Sequence, residues 1–168
     1  YDKNIINEIA EKSGLSPEYI QESAELSPKK GLFAYALAGR DITGKSVEDM
    51  VYEAQRKVIL ELAEKESCVI IGRCANMILK DYSNVLRVFV YGDWDFRIRE
   101  ASKKLSGTTK DIEKFMQKDD KRKEDFCKRF MGVDWADMTK YNLCLDNGTL
   151  GYEKCVEEIE SALEILKK

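Results

Sequence analysis

Apolar positions recur along this chain with two different periods. From Asn4 to Lys12, Ile5, Ile6, Ile9 and Ala10 mark one short helical face, which Gly14 ends. Ser16-Pro17-Glu18 then reads as a helix N-cap with proline at the first helical position. From Ser27 to Gly44 no period holds, and Pro28, Gly31, Gly39 and Gly44 punctuate the stretch. It reads either as a segment covering a substrate or as a helical connector. Regularity returns between Val47 and Lys65, where Val47, Met50, Val51, Ala54, Val58 and Leu62 form one face of a strong amphipathic helix.

Two short, largely apolar runs follow, Cys68 to Ile71 and Val85 to Tyr91, with a third at Tyr141 to Asp146. They are too short for core helices and rich in strand-forming residues, and they predict buried parallel strands. Helical patterns separate and follow them: Ala75 to Lys80, Asp93 to Lys104, Thr109 to Met131 and Gly151 to Lys167. Strands alternating with helices predict an α/β fold, with a parallel sheet and right-handed crossovers. A sheet of three strands is thin, so a further strand is expected before Tyr1. The lack of an initiator methionine agrees with a chain that begins inside a larger protein.

Composition narrows the chemistry. The 168 residues are 43% hydrophobic and 35% charged, as expected for one globular domain with a core. With 28 basic and 31 acidic residues the net charge is -3, which argues against a binder of DNA or RNA duplexes but not against a local anion site. No apolar run approaches the roughly 18 to 20 residues of a membrane helix, and the opening residues carry no signal-peptide pattern. The five cysteines lack any C-x-x-C pair and read as free thiols of a cytoplasmic protein. Histidine is absent, which removes His-based general bases, Ser-His-Asp triads and most zinc sites. Any reaction must use Lys, Arg, carboxylates, hydroxyls or an external ion.

Three places can carry such chemistry. At Ile71-Gly72-Arg73-Cys74 an arginine follows a predicted strand end, where ligands of open α/β sheets bind and where a guanidinium can grip a phosphate. The alternative is an ordinary surface arginine. The stretch from Lys118 to Arg129 packs six basic and four acidic residues into one predicted helix. It reads as a solvated face laced with i,i+4 pairs, or as a lid closing over phosphates, because its charged middle interrupts the apolar stripe of Ile112, Phe115, Met116, Phe126 and Phe130. Arg87, Arg97 and Arg99 lie around the strand Val88 to Tyr91, either as ligand contacts or as helix-surface residues. Trp94 and Trp135 suit core anchors more than base stacking. Asp146-Asn147-Gly148 reads as a tight turn.

Taken in order, these segments resemble the cytidylate kinase-like family of P-loop nucleoside-monophosphate kinase relatives. The resemblance rests on Tyr1-Asp2-Lys3 with its Ile-rich helix, on Cys68 to Asn76, and on Arg87 to Tyr91 followed by Phe96-Arg97. It continues through Asp120-Lys121-Arg122-Lys123 with Lys128, Gly132 and Trp135, and ends on Tyr141 to Leu145 with Leu150-Gly151. It implies a single three-layer P-loop kinase domain over residues 1–168, with a lid near 105–135. It also implies transfer of a phosphoryl group from ATP, with Mg2+, to a CMP- or dCMP-like acceptor. Arg73 would hold the acceptor phosphate. Arg122, with Lys121 and Lys123, would close over the transferring phosphate, with Asp120 and Arg97 at the substrate side. A non-catalytic nucleotide-binding module and a kinase of another small molecule stay open as alternatives, and self-association into a homo-oligomer is compatible.

Three departures from the family pattern stand out. The 168 residues hold no G-x-x-x-x-G-K-[ST] phosphate loop, which is expected before Tyr1. Asn76 stands where the family motif has Asp. Glu8 stands near the position where bacterial cytidylate kinases carry an acceptor-gripping Arg.

Overall fold

The computed structural model describes residues 4–13 and 46–167. The predicted Ser16-capped helix and the irregular stretch from Ser27 to Gly44 lie outside the described residues, as does the side chain of Glu8. The chain groups into two compact units. One comprises Tyr1–Leu79 with Arg129–Met131, the other Lys80–Lys128 with Gly132–Lys168.

In the first unit, α1 (Asn4–Ser13) packs against α2 (Val47–Lys65), and α2 against the single turn α3 (Ala75–Ile78). The start of α2 is a capping box. Ser46 Oγ accepts from the Asp49 N–H at 3.2 Å, while Asp49 Oδ2 accepts from the Ser46 N–H at 3.1 Å. Val51, Val58, Ile59 and Leu62 line its inward face, meeting Ile6, Ile9 and Ala10 in the unit's buried core. Val58 and Ile59 are completely buried, each contributing about 1.5–3 kcal/mol of apolar burial.

In the second unit, β1 (Val88–Tyr91) and β2 (Leu143–Asp146) pair in parallel, from Val88 opposite Leu143 to Tyr91 opposite Asp146. Helices α4 (Trp94–Ser102) and α5 (Thr109–Met131) lie between them in sequence, and α6 (Asn147–Leu150) and α7 (Tyr152–Leu166) follow β2. The last three residues of α5 belong to the first unit. A second capping box, Thr108 with Asp111, starts α5, and Gly132 in the left-handed conformation (φ 68°) ends it. Arg87, just before β1, ties the two strand starts together. Its N–H and Nε both donate to Asn142 Oδ1 at 3.0 Å, and its carbonyl accepts from the Asn142 N–H at 2.7 Å. Phe89 stands in an aromatic cluster with Tyr141 and Trp135, ring centroids 4.9 and 5.8 Å away.

The mixed α/β class and the parallel strand pair agree with the sequence pattern. The strand predicted at Cys68–Ile71 does not form. That stretch is not assigned as strand, and Val69 and Ile71 are 74% and 61% exposed. Strand propensity reports fit to a pleated, half-buried surface, and Val69 and Ile71 are too exposed to meet that condition. The other two strands are shorter than predicted. The chain ahead of β2 is taken by a 3-10 turn at Met138–Lys140, capped by Asp137. The expected turn at Asp146 is the start of α6, where the Asp146 carboxylate accepts from the Gly148 N–H at 2.9 Å and from Thr149 Oγ1 at 2.8 Å.

Candidate functional site

Arg73 belongs to the first unit and stands between Gly72 and the start of α3. Three successive residues, Gly72, Arg73 and Cys74, have φ of 72°, 59° and 52°. Glycine takes that conformation freely. For Arg73 and Cys74 the left-handed region costs of order 1 kcal/mol or more each, and such strain persists only where the surroundings impose it. The surroundings here are specific. The Gly72 carbonyl accepts from the Ala75 N–H at 3.1 Å, the Cys74 carbonyl accepts from the Ile78 N–H at 3.0 Å, and Cys74 and Ala75 are buried. The Arg73 carbonyl accepts from Gln55 Nε2 at 3.1 Å, and Gln55 is only 1% exposed. The arginine side chain itself is half-buried. Asn76 follows within α3.

Gln55 is the residue of this candidate site that sequence reasoning passed over. The signal was present: it lies four residues after Val51 and four before Ile59, on the apolar stripe of α2. A polar side chain on that stripe needs a buried partner.

The second unit gathers the remaining candidates along α4 and α5. Arg97 pairs with Asp120 at 2.8 Å, linking the two helices, and its guanidinium lies 5.5 Å from the Trp94 ring centre. Arg122 and Lys123 converge on one carboxylate. Asp119 Oδ1 pairs with Arg122, and Asp119 Oδ2 with Lys123 at 2.6 Å. Lys123 also lies 5.1 Å from the Trp135 ring centre. Lys121 points elsewhere, to Asp125 at 2.9 Å and Glu124 at 3.6 Å, in the i,i+4 pattern of a solvated face. The Asp125 hydrogen bond raises the Lys121 pKa above its ordinary value. Ile112, Met116 and Cys127 are the buried residues of the helix around this cluster.

The structure therefore brings Arg97 and Asp120 together, and places Arg122 and Lys123 on a shared anchor. It gives Arg87 the strand tie described above, while Arg99 is exposed and lies 5.9 Å from the Phe96 ring centre. At the carboxyl end of β1, Asp93 caps α4 by accepting from the Phe96 N–H at 2.7 Å. Gly92 is required beside it, since a Cβ there would lie 2.7 Å from Phe96 Cδ1.

Comparison with known proteins gives this arrangement a lineage. The model of the cytidylate kinase-like family matches residues 1–149. The chain belongs to the cytidylate kinase-like family. Among curated relatives, this family member is similar to the cytidylate kinase of Archaeoglobus fulgidus, 24% identical over 169 residues, spanning 98% of this chain and 79% of that protein. Among solved structures it shares the fold of an uncharacterized protein from Eubacterium ventriosum, with a TM-score of 0.67 at 23% identity, covering 96% of this chain and 89% of that one. Membership in the cytidylate kinase-like family supports kinase chemistry at the level of class.

Proposed function

We infer that this chain is a nucleoside-monophosphate kinase, transferring the γ-phosphoryl group of ATP to a CMP- or dCMP-like acceptor. The observation that carries the reading is the Gly72-Arg73-Cys74 loop, a strained, anchored backbone bearing one arginine, in a member of a kinase family.

The residues present suit the acceptor and transferring phosphates. Among the described residues no cluster of three or more metal-ligating side chains exists, so Mg2+ would enter on the nucleotide's phosphate oxygens rather than in a protein cage. The 168 residues contain no G-x-x-x-x-G-K-[ST] loop for the donor's β-phosphate. ATP supplies the phosphoryl group and leaves as ADP when an acceptor phosphate oxygen bonds to the γ-phosphorus and the bond to the bridging oxygen breaks. The chain contributes position and positive charge. Arg73 holds the acceptor phosphate by paired N–H donors. Arg122 and Lys123 present charge to the equatorial oxygens as it develops, Lys121 adds long-range field, and Arg97, fixed by Asp120, lines the substrate side. The segment near 105–135 is the closing element in this reading, part of a P-loop kinase architecture.

The test is ADP release by the full chain with ATP and Mg2+ across CMP, dCMP, UMP, AMP and small alcohols. Turnover with a pyrimidine monophosphate is expected. Nucleotide binding without ADP release from any acceptor would leave a binding module. Turnover with alcohols alone would identify a kinase of other small molecules.

A further inference from the structure

The Gly72-Arg73-Cys74 loop holds a conformation that its own sequence does not favour at two of three positions. Within the first unit, a side chain from another element meets that backbone. Gln55 leaves the apolar stripe of α2 between Val51 and Ile59, is 1% exposed, and donates from Nε2 to the Arg73 carbonyl at 3.1 Å. That bond fixes the peptide plane that follows Arg73. Fixing a carbonyl on the inner side of a tight turn also fixes the direction in which the same residue's Cα projects its side chain.

Burial gives the bond its grip. The Gln55 amide is almost wholly removed from water, so its donor is satisfied by a partner within the protein rather than by solvent. Leucine or methionine would fill a similar volume and satisfy the helix pattern equally well. What glutamine adds at this position is a donor aimed at one carbonyl.

We propose that Gln55 is a positioning residue for the acceptor site, holding Arg73 in the orientation in which it grips the monophosphate. The proposal rests on the reading of Arg73 as the acceptor-phosphate contact. Gln55 touches neither substrate nor reacting atom. It acts through Arg73, so its effect should fall on the acceptor and spare ATP.

The experiment is calorimetric titration of the full chain with CMP, dCMP, UMP and AMP, using the tightest-bound of these for the variants. ATP is titrated in parallel. Gln55→Leu and Gln55→Met should weaken acceptor binding about five- to tenfold while ATP binding stays within about twofold. Gln55→Glu keeps the shape but turns the donor into an acceptor facing a carbonyl, and it should weaken acceptor binding further. In an Arg73→Ala background the same Gln55 substitutions should have no further effect on acceptor binding, since they have nothing left to orient. Additive losses in the double variants would overturn the proposal, as would Gln55 variants that melt earlier but bind the acceptor normally. If all three Gln55 variants fail to fold, Gln55 is a core anchor and the positioning role is lost. If Arg73→Ala itself binds the acceptor normally, or the wild type binds none of the four, the reading of Arg73 has failed first.

Discussion

Asp49 shows how much one side chain is asked to do in the first unit. It closes the capping box of α2 with Ser46 and pairs with Arg129 at 3.2 Å, and Arg129 also reaches Glu48 and Ser46. The Ser46 hydroxyl is the largest influence; burial opposes it, and the Ser46 N–H and the Arg129 charge add to it, so the Asp49 pKa lies below the ordinary carboxylate range. A carboxylate with a depressed folded pKa stabilises the fold above its unfolded pKa, near 4, and loses that contribution as pH falls through the folded value. Asp49→Asn should therefore lower the melting temperature at pH 7, with a cost of about 1 kcal/mol or less because the side chain is partly exposed. The gap from wild type should close as pH falls below the unfolded pKa, near 4, read by calorimetry. A gap that widens in acid would contradict the assignment. Arg122 calls for the opposite test. Its pair with Asp119 lies partly exposed within one helix, so Arg122→Ala should change stability by less than about 1 kcal/mol. Its rate of ADP release should fall about 10²- to 10³-fold if the guanidinium meets charge only in the transition state. A near wild-type rate would return this helix to a solvated face.

Helices were legible in the sequence because their information is local. Both capping boxes, Ser46 to Asp49 and Thr108 to Asp111, can be read from four residues, and the start and end of α5 lie where the pattern put them. Strands were less so, because a strand is a property of two segments. Val85 to Tyr91 and Tyr141 to Asp146 found each other and trimmed to four paired residues each, while Cys68 to Ile71 is not assigned as strand. Gln55 was legible only as a polar residue on an apolar stripe, since its partner lies in the backbone of Arg73, eighteen residues on. The end of α5 offers an element-scale test. Gly132 has φ 68°, and a Cβ there would meet nothing within 4 Å. Gly132→Ala should thus cost only the left-handed backbone penalty, about 1 kcal/mol, and Gly132→Asn less. Thermal or denaturant unfolding measures both. A loss several times larger would mean that the site is crowded rather than conformationally demanding.

At the scale of the whole molecule, the question that family membership leaves is whether the chain turns nucleotides over or only binds them. The charges on α5 do not separate these cases. Arg122 and Lys123 meet Asp119, and Arg97 meets Asp120, so the cations are already neutralised locally and a phosphate must compete with carboxylates for them. Either a binding module or an enzyme can work that way. Linkage separates them from each other and from a chain that does neither. A ligand that binds only the folded state stabilises it by RT ln(1 + [L]/Kd), about 2.7 kcal/mol at a concentration of 100 Kd. The full chain should therefore melt several degrees higher with saturating pyrimidine monophosphate, and Arg73→Ala should lose that shift while keeping the shift from ATP. Arg122→Ala should do the reverse of a binding variant, retaining both shifts while ADP release collapses. An enzyme requires these two variants to part company. If Arg122→Ala instead loses the nucleotide shifts and the wild type releases no ADP, the cations serve binding alone, and the chain is a nucleotide-responsive module built on a kinase fold.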